Sequence, residues 1–334
     1  MPDYNVDETD LALVGALQIN PRASWAEVGR ILDVDPSTAS RRWTRLVEAG
    51  AAWVSCQPLF GTSPAMAFIE ITVEPGHSLD VAAALATDPE AMTIDIAAGA
   101  RDLLVTVVTA DAARLAAYLL ERVPMIPHLR AVQSHILVGS YADASGWRLR
   151  SLSQQQEQAV RATFPKKGEE PAPARSAQAR TLVAALSRDG RAPLGELAMA
   201  AEVSESTVRR RLSALLAHRV VRLRCELARE LTGWPVSEWF FARVPSDRID
   251  MVAKRLSTIP EVRAVLSAAG PFNLLIAVWL RTVADGQRLE SQIMAKLPDV
   301  EILDRSVVIR PYKLAGRLLD PRGFAIGVVP LDVG

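Results

Sequence analysis

Residues 22–46 read RASWAEVGRILDVDPSTASRRWTRL, and residues 191–215 read RAPLGELAMAAEVSESTVRRRLSAL. The two stretches lie 169 residues apart and agree at matched offsets: Arg22-Ala23 with Arg191-Ala192, Glu27 with Glu196, Val34 with Val203, Ser37-Thr38 with Ser206-Thr207, Arg41-Arg42 with Arg210-Arg211. The agreement extends to Leu13, Leu17 and Leu46, which meet Leu182, Leu186 and Leu215, and to the only cysteines, Cys56 and Cys225. A repeat that long is a whole module, not a solenoid unit of about 20–50 residues.

Local signals place three helices at the start of each copy. In the first, Leu11, Val14 and Leu17 recur at helical spacing behind Asp7, Glu8 and Asp10, acids that suit a helix N-terminus, and Asn20-Pro21 ends the run. Ser24 with Glu27 makes a capping box for a short second helix whose apolar face is Val28, Ile31 and Leu32. Asp35 caps a third helix with Pro36 at its first position, and Gly50 closes it. The second copy repeats this with helices at 182–186, 194–201 and from the Ser204 cap to about residue 217. About 85 strand-rich residues follow each unit. Alternation predicts strands at 67–73, 93–98, 103–109 and 129–138 with helices at 79–85 and 112–121. The second copy gives strands at 238–244, 263–268, 274–280 and 301–309 with helices at 249–256 and 289–297. That order is β-α-β-β-α-β, a ferredoxin-like split βαβ.

The third helix of each copy carries the chemistry. Ala39, Trp43 and Leu46 fall on one face; Ser37, Thr38, Ser40, Arg41, Arg42 and Arg45 fall largely on the other, and the second copy offers Ser206, Thr207, Arg209, Arg210 and Arg211. An α-helix fits the major groove of double-stranded DNA with its N-terminal residues nearest the base edges, and arginine forks onto guanine. A solvated arginine face would explain one copy; two copies with Ser-Thr and Arg-Arg at one offset point to a helix-turn-helix that binds DNA. Arg41 and Arg210 are the expected base readers, the other arginines phosphate contacts.

Bulk composition neither adds to this nor opposes it. The formal net charge of the 334 residues is zero, so the case rests on local charge, such as the five arginines and no acid between Ser206 and Arg222. The two cysteines are too far apart for a metal or redox motif and read as small apolar residues on equivalent strands. The acidic N-terminus is not a signal peptide, and no apolar run reaches the ~20 residues of a membrane span, so the cytoplasm is the expected location. His77, His128, His135 and His218 are scattered, with no nucleophile motif, phosphate-cradling loop or metal spacing. The chain is therefore expected not to be an enzyme and to need neither cofactor nor metal.

The segment DETDLALVGALQINPRASWAEVGRILDVDPSTASRRWTRLVEAGAA, with its acidic start, Leu-rich helix, N-P-R break and VDPSTASRR reading helix, resembles the Lrp/AsnC (feast/famine) transcriptional regulators. The resemblance covers nearly the whole chain, twice. It implies an α+β fold: two tandem copies of a winged helix-turn-helix, each followed by a ferredoxin-like βαββαβ ligand-sensing domain. The expected divisions are 1–55 (first helix-turn-helix), 56–145 (first sensing domain), 146–174 (linker), 175–223 and 224–311 (second pair) and 312–334 (tail). In the family a Gly-x-x-Asp turn between the second and third strands lies near a small-molecule site at the subunit interface. Here it is Gly99-Ala100-Arg101-Asp102 and Gly270-Pro271-Phe272-Asn273, giving Gly99, Arg101, Asp102, Gly270 and Asn273 as effector-binding candidates, with Asn273 in place of the usual acid. The resemblance further implies double-stranded DNA as partner, an amino acid or related metabolite as effector, and a homodimer or higher homo-oligomer, since such sensing domains leave sheet surface for a partner; the alternative is that the two sensing domains pair within one chain. The two reading helices differ (Ser40 against Arg209, Arg45 against Ala214), so the expected DNA site is an imperfect palindrome. A nucleoid-type architectural protein with weak sequence preference is the alternative.

Overall fold

A computed structural model describes residues 4–58, 64–142, 146–164, 177–218 and 220–331; most of the expected linker lies outside them. The first copy begins with α1 (Glu8–Ile19), α2 (Trp25–Leu32) and α3 (Pro36–Glu48). The local caps form as their residues dictate. Asp7 and Asp10 close a capping box on α1, Ser24 and Glu27 one on α2, and the Asp35 side chain accepts from the Ser37 amide at the start of α3. Next comes β1 (Ala52–Pro58), then β2 (Ala65–Val73), α4 (Ser78–Ala86), β3 (Ala91–Ala98), β4 (Leu103–Thr109), α5 (Ala112–Ala117) and β5 (Leu129–Ala142). The helix expected at 112–121 relaxes after Ala117 into a wider π turn over Tyr118–Arg122. A short α6 (Gln154–Arg161) packs against α1 and α2. The second copy supplies α7 (Ala177–Arg188), α8 (Leu194–Ala201), α9 (Glu205–Ala217), β6 (Val221–Leu227), β7 (Val236–Arg243), α10 (Ile249–Leu256), β8 (Val262–Ala268), β9 (Leu274–Leu280), α11 (Ala284–Lys296) and β10 (Glu301–Leu314), then β11 (Arg317–Leu319) and β12 (Ala325–Val328).

The two copies close on each other about a pseudo-twofold axis. β1 and β6 pair antiparallel with Ser55 opposite Arg224, residues that are themselves 169 apart, so the axis runs between them. Period-two alternation divides this ribbon into two faces. Val54, Cys56, Leu223 and Cys225 enter the core shared by both trihelical units, while Trp53, Gln57, Arg222, Arg224 and Glu226 occupy the other face. The helices are exchanged across the ribbon: α1 packs on β6 and α7 on β1.

The sensing domains likewise close into one ring of eight strands, β3-β4-β2-β5-β8-β9-β7-β10 and back to β3. This is where the structure departs from the sequence reading. The strands expected to end at 138 and 309 continue to Ala142 and Leu314. The extra length makes the cross-copy joints, Leu137–Ala142 on β8 and Val307–Lys313 on β3. The sheet surface expected to need a partner thus finds one inside the chain, the alternative to a homodimer that the sequence allowed, which removes that argument for a second chain. The near-continuous burial of β4 and β9 follows from having helices on one face and the ring interior on the other. Ile69, Leu103 and Val105 pack outward under α4 and α5, while Phe68, Trp239, Phe241 and Phe272 fill the interior. The tail is not a free surface segment: β11 and β12 extend the sheet, and Ala325 N–H donates to Gly50 O (2.8 Å). Gly50 has φ +67° and no room for a Cβ against Ala325, so both conformation and packing require glycine there.

Candidate functional site

Each third helix buries the face expected of it. Ala39, Trp43 and Leu46 on α3 and Val208, Leu212 and Leu215 on α9 are in the core. On the opposite sides Ser37, Arg41 and Arg45, and Ser206, Arg209 and Arg210, are exposed; Thr38, Ser40, Arg42, Thr207 and Arg211 are half-buried. The chemistry of these side chains is not uniform. The Ser37 hydroxyl donates to the Asp35 carboxylate, which is held below its usual range by that bond. Ser206 and Thr207 hydroxyls cluster on the Ser204 cap at 2.9 Å. Arg42 donates to Asp7 (2.7 Å) and Asp10 (2.9 Å), and Arg45 bridges to the same Asp10, whose side chain is only 1% exposed. These two arginines, expected as phosphate contacts, tie α3 to the first turn of α1, and the carboxylates raise the Arg42 pKa. Arg41, Arg209 and Arg210 form no ion pair with a described residue.

The sequence reading missed the residues that set the two reading heads relative to each other. Arg22 donates to the carbonyls of Gly190 (2.8 Å) and Ala192 (3.0 Å), and Arg191 donates to those of Pro21 (2.6 Å) and Ala23 (3.1 Å). The exchange is reciprocal across the pseudo-twofold axis. Burial lowers the Arg191 pKa to about 10, and its guanidinium lies 4.0 Å from the Trp25 ring centroid. The signal was present, since Arg22 and Arg191 are matched in the repeat, but an arginine that binds carbonyls across an interface looks in sequence like any other.

The two Gly turns sit at equivalent β-hairpins, and their side chains are engaged by the fold. The Asp102 carboxylate accepts from Val73 N–H (2.8 Å). Asn273 repeats that bond with Val244 N–H (2.9 Å) and also donates to Val244 O (2.7 Å). Asn therefore replaces Asp without losing the tie, because the bond needs an oxygen acceptor, not a charge. Arg101 reaches across the ring to Asp304 (2.8 Å) and Ser306 (2.7 Å), pairs with Glu70 and lies over the Phe241 ring at 4.2 Å. In the second copy Phe272 takes its place and packs 4.4 Å from His135. His135 is buried, as a strand position implied, with Nε2 2.7 Å from Glu70 Oε1. Gly99 (φ +118°) and Gly270 (φ +156°) hold backbone shapes that favour glycine.

The histidines are less scattered than their spacing implied. His77 and His128 stack face to face, centroids 3.6 Å apart, beside Glu74 and Asp80 at the end of β2. Parallel rings at that distance cannot both direct an in-plane lone pair at one ion without turning. Cys56 and Cys225 are fully buried, which pushes both thiols up to about 12. Among the described residues no helix is long and apolar enough to cross a membrane.

Comparison with known proteins agrees with this geometry. The AsnC-type helix-turn-helix domain matches residues 6–47 and 180–216, and the Lrp/AsnC ligand binding domain matches residues 66–147 and 241–318. An uncharacterized HTH-type transcriptional regulator of Pyrococcus abyssi is 32% identical over 137 residues, 40% of this chain and 85% of its own length. A regulator of the same description from Pyrococcus horikoshii is 31% identical over the same shares. These relatives correspond to one copy. The crystal structure of the siroheme decarboxylase NirDL is similar along 92% of this chain and 93% of its own, with a TM-score of 0.57 and 13% identity, a likeness of fold. With both domains present twice, the chain belongs to the Lrp/AsnC family of DNA-binding transcriptional regulators and carries the family's two-domain unit in tandem within one polypeptide.

Proposed function

We propose that this protein regulates transcription by laying α3 and α9 on two unlike half-sites of double-stranded DNA, and that a small-molecule effector, an amino acid or related metabolite, changes how well it does so. The observation that carries the reading is the pairing of two reading helices about one pseudo-twofold axis, each with an exposed arginine at the matched position, Arg41 and Arg210. In this reading Arg41 and Arg210 read bases, with Ser37, Thr38, Ser40, Ser206, Thr207 and Arg209 around them. Arg42, Arg45 and Arg211 add field to the phosphates, and Arg42 and Arg45 also hold α3 against α1. The decarboxylase likeness means that the architecture alone does not choose between regulation and catalysis. Paired reading helices whose Arg41 and Arg210 form no ion pair with a described residue favour regulation without a chemical step, and a protein working on the chromosome acts in the cytoplasm.

The test is a footprint on DNA upstream of the protein's own gene at two salt concentrations, with wild type, Arg41→Ala and Arg210→Ala. Two adjacent protected half-sites are expected, each variant weakening a different one. Loss of a guanine-reading arginine should reduce affinity roughly tenfold or more. Diffuse, salt-fragile protection indifferent to both substitutions would refute specific reading and favour an architectural role.

A further inference from the structure

A cavity of about 350 Å³ lies between the β1/β6 ribbon, the mouth of the strand ring and the C-terminal tail. It is distinct from both Gly turns, none of whose residues lines it. That volume is within the common range for small-molecule sites, about 300–1,000 Å³. Its walls combine three indoles, Trp53, Trp239 and Trp279, with four guanidiniums, Arg222, Arg224, Arg229 and Arg263.

Among the described residues Arg224 and Arg263 share one carboxylate, Glu226, which pairs with Arg224 and accepts from Arg263 at 2.6 Å, and Asp95 lies in the wall. Trp239 Nε1–H donates to Asp95 at 3.1 Å, and Arg263 is stacked on Trp279 at 3.9 Å. Donor capacity is left over. Among the described residues Trp53 (4% exposed) keeps a buried Nε1–H without an acceptor, and Arg224 (7% exposed) keeps Nη2 without one. Native proteins rarely leave buried donors orphaned, and two buried guanidiniums that share one carboxylate are costly to desolvate. Burial lowers the Arg263 pKa to about 9, and burial together with the neighbouring arginines lowers that of Arg224.

The cavity straddles the pseudo-twofold axis, with matched positions of both copies such as Thr106 and Ala277 in its lining, so one site is formed per chain; its chemistry is unequal, because on the ribbon the first copy offers Ser55 and Gln57 where the second has Arg224 and Glu226. We propose that this cavity binds one molecule per chain of an aromatic carboxylate, with its ring among the indoles and its carboxylate taking the free donors of Trp53 and Arg224. Its walls come from the ribbon under the reading heads and from the sensing ring, so its occupant touches both modules at once. The proposal rests on the reading that a small molecule modulates the chain, and it gives that molecule a place and a class.

Isothermal titration of the full chain with indole-3-acetate, without DNA, tests it. The expected result is saturable binding at one per chain, quenching of tryptophan fluorescence, and roughly tenfold or weaker binding of the neutral indole-3-acetamide, which lacks the charge. Trp53→Phe keeps the ring and removes the donor, and is expected to weaken the acid several-fold while leaving the amide nearly unchanged. Ala277→Leu fills the cavity and should abolish binding of both, in a variant whose unchanged circular dichroism reports an intact fold. No saturable binding of the acid, equal affinity for acid and amide, or wild-type binding by both variants would overturn the proposal. Because DNA is absent from the titration, such a result leaves the reading of half-sites to be judged by the footprint alone.

Discussion

Removing either arm of the arginine exchange should loosen the paired reading heads, and by unequal amounts. Arg22 makes two hydrogen bonds to backbone carbonyls of the other unit, and Arg191 makes two in return. Hydrogen bonds to charged groups contribute about 1.5–3 kcal/mol each, and the low end applies because both side chains are only half-buried. Arg22→Leu thus costs about 3 kcal/mol of local stability. Arg191 also rests on Trp25, an interaction worth about 1 kcal/mol, so Arg191→Leu costs about 4 kcal/mol. Hydrogen exchange is the suitable assay, because it reports local opening without assuming that the whole chain unfolds in one step. Amides of the 16–30 and 185–199 segments should exchange roughly a hundredfold faster in Arg22→Leu, and several-fold faster again in Arg191→Leu, while the strand ring stays protected. Equal exchange in wild type and both variants, or a larger effect at Arg22, would refute the assignment of these residues as the clamp.

Two further outcomes follow from buried ionisable groups. Burial raises the Asp95 pKa to about 6 from the 3.8 usual for an aspartate, so between those values the folded protein binds more protons than the unfolded chain and stability falls as pH rises. The loss is complete above about pH 6 and amounts to about 3 kcal/mol at most. Asp95→Asn, which keeps an oxygen to accept from Trp239, should raise the melting temperature at pH 8 and leave it nearly unchanged near pH 4. A destabilised variant at pH 8 would contradict this. Cys56 and Cys225, with thiols pushed up to about 12, should resist iodoacetamide in the native protein at pH 8 and both react once it is unfolded, as intact-mass spectrometry would record; labelling of the native chain would show that the ribbon opens.

What could be read from the sequence was decided by distance along the chain. The caps at Ser24, Asp35 and Ser204 are local events in which a side chain meets an amide two or three residues away, and they formed as read; Asp7, read only as a helix-end acid, caps α1 in the same way. The βαββαβ order follows from period-two alternation and was equally legible. Closure of the ring was not. The extensions of β5 and β10 pair with strands more than a hundred residues away, and nothing in either segment names its partner. The candidate site divides the same way. Exposure of Arg41 and Arg210 follows from helix periodicity, whereas the capture of Arg42 and Arg45 by buried Asp10 depends on how α1 crosses α3. The acids at the start of α1 were read as helix-end charges; one of them is also the anchor of the reading helix.

The closed ring has a consequence for evolution and for dose. In a true homodimer every substitution appears on both sides of the axis, so a change that helps one side is tried on the other whether it fits or not. Here each position is encoded once. Arg101 can reach Ser306 while its counterpart Phe272 packs on His135, two solutions that no symmetric pair could hold together. The tether also fixes the copies at a constant effective concentration, so the pairing of the two reading heads does not weaken on dilution. The meeting of the two reading heads therefore adds no concentration threshold of its own, as the association of two separate one-copy chains would.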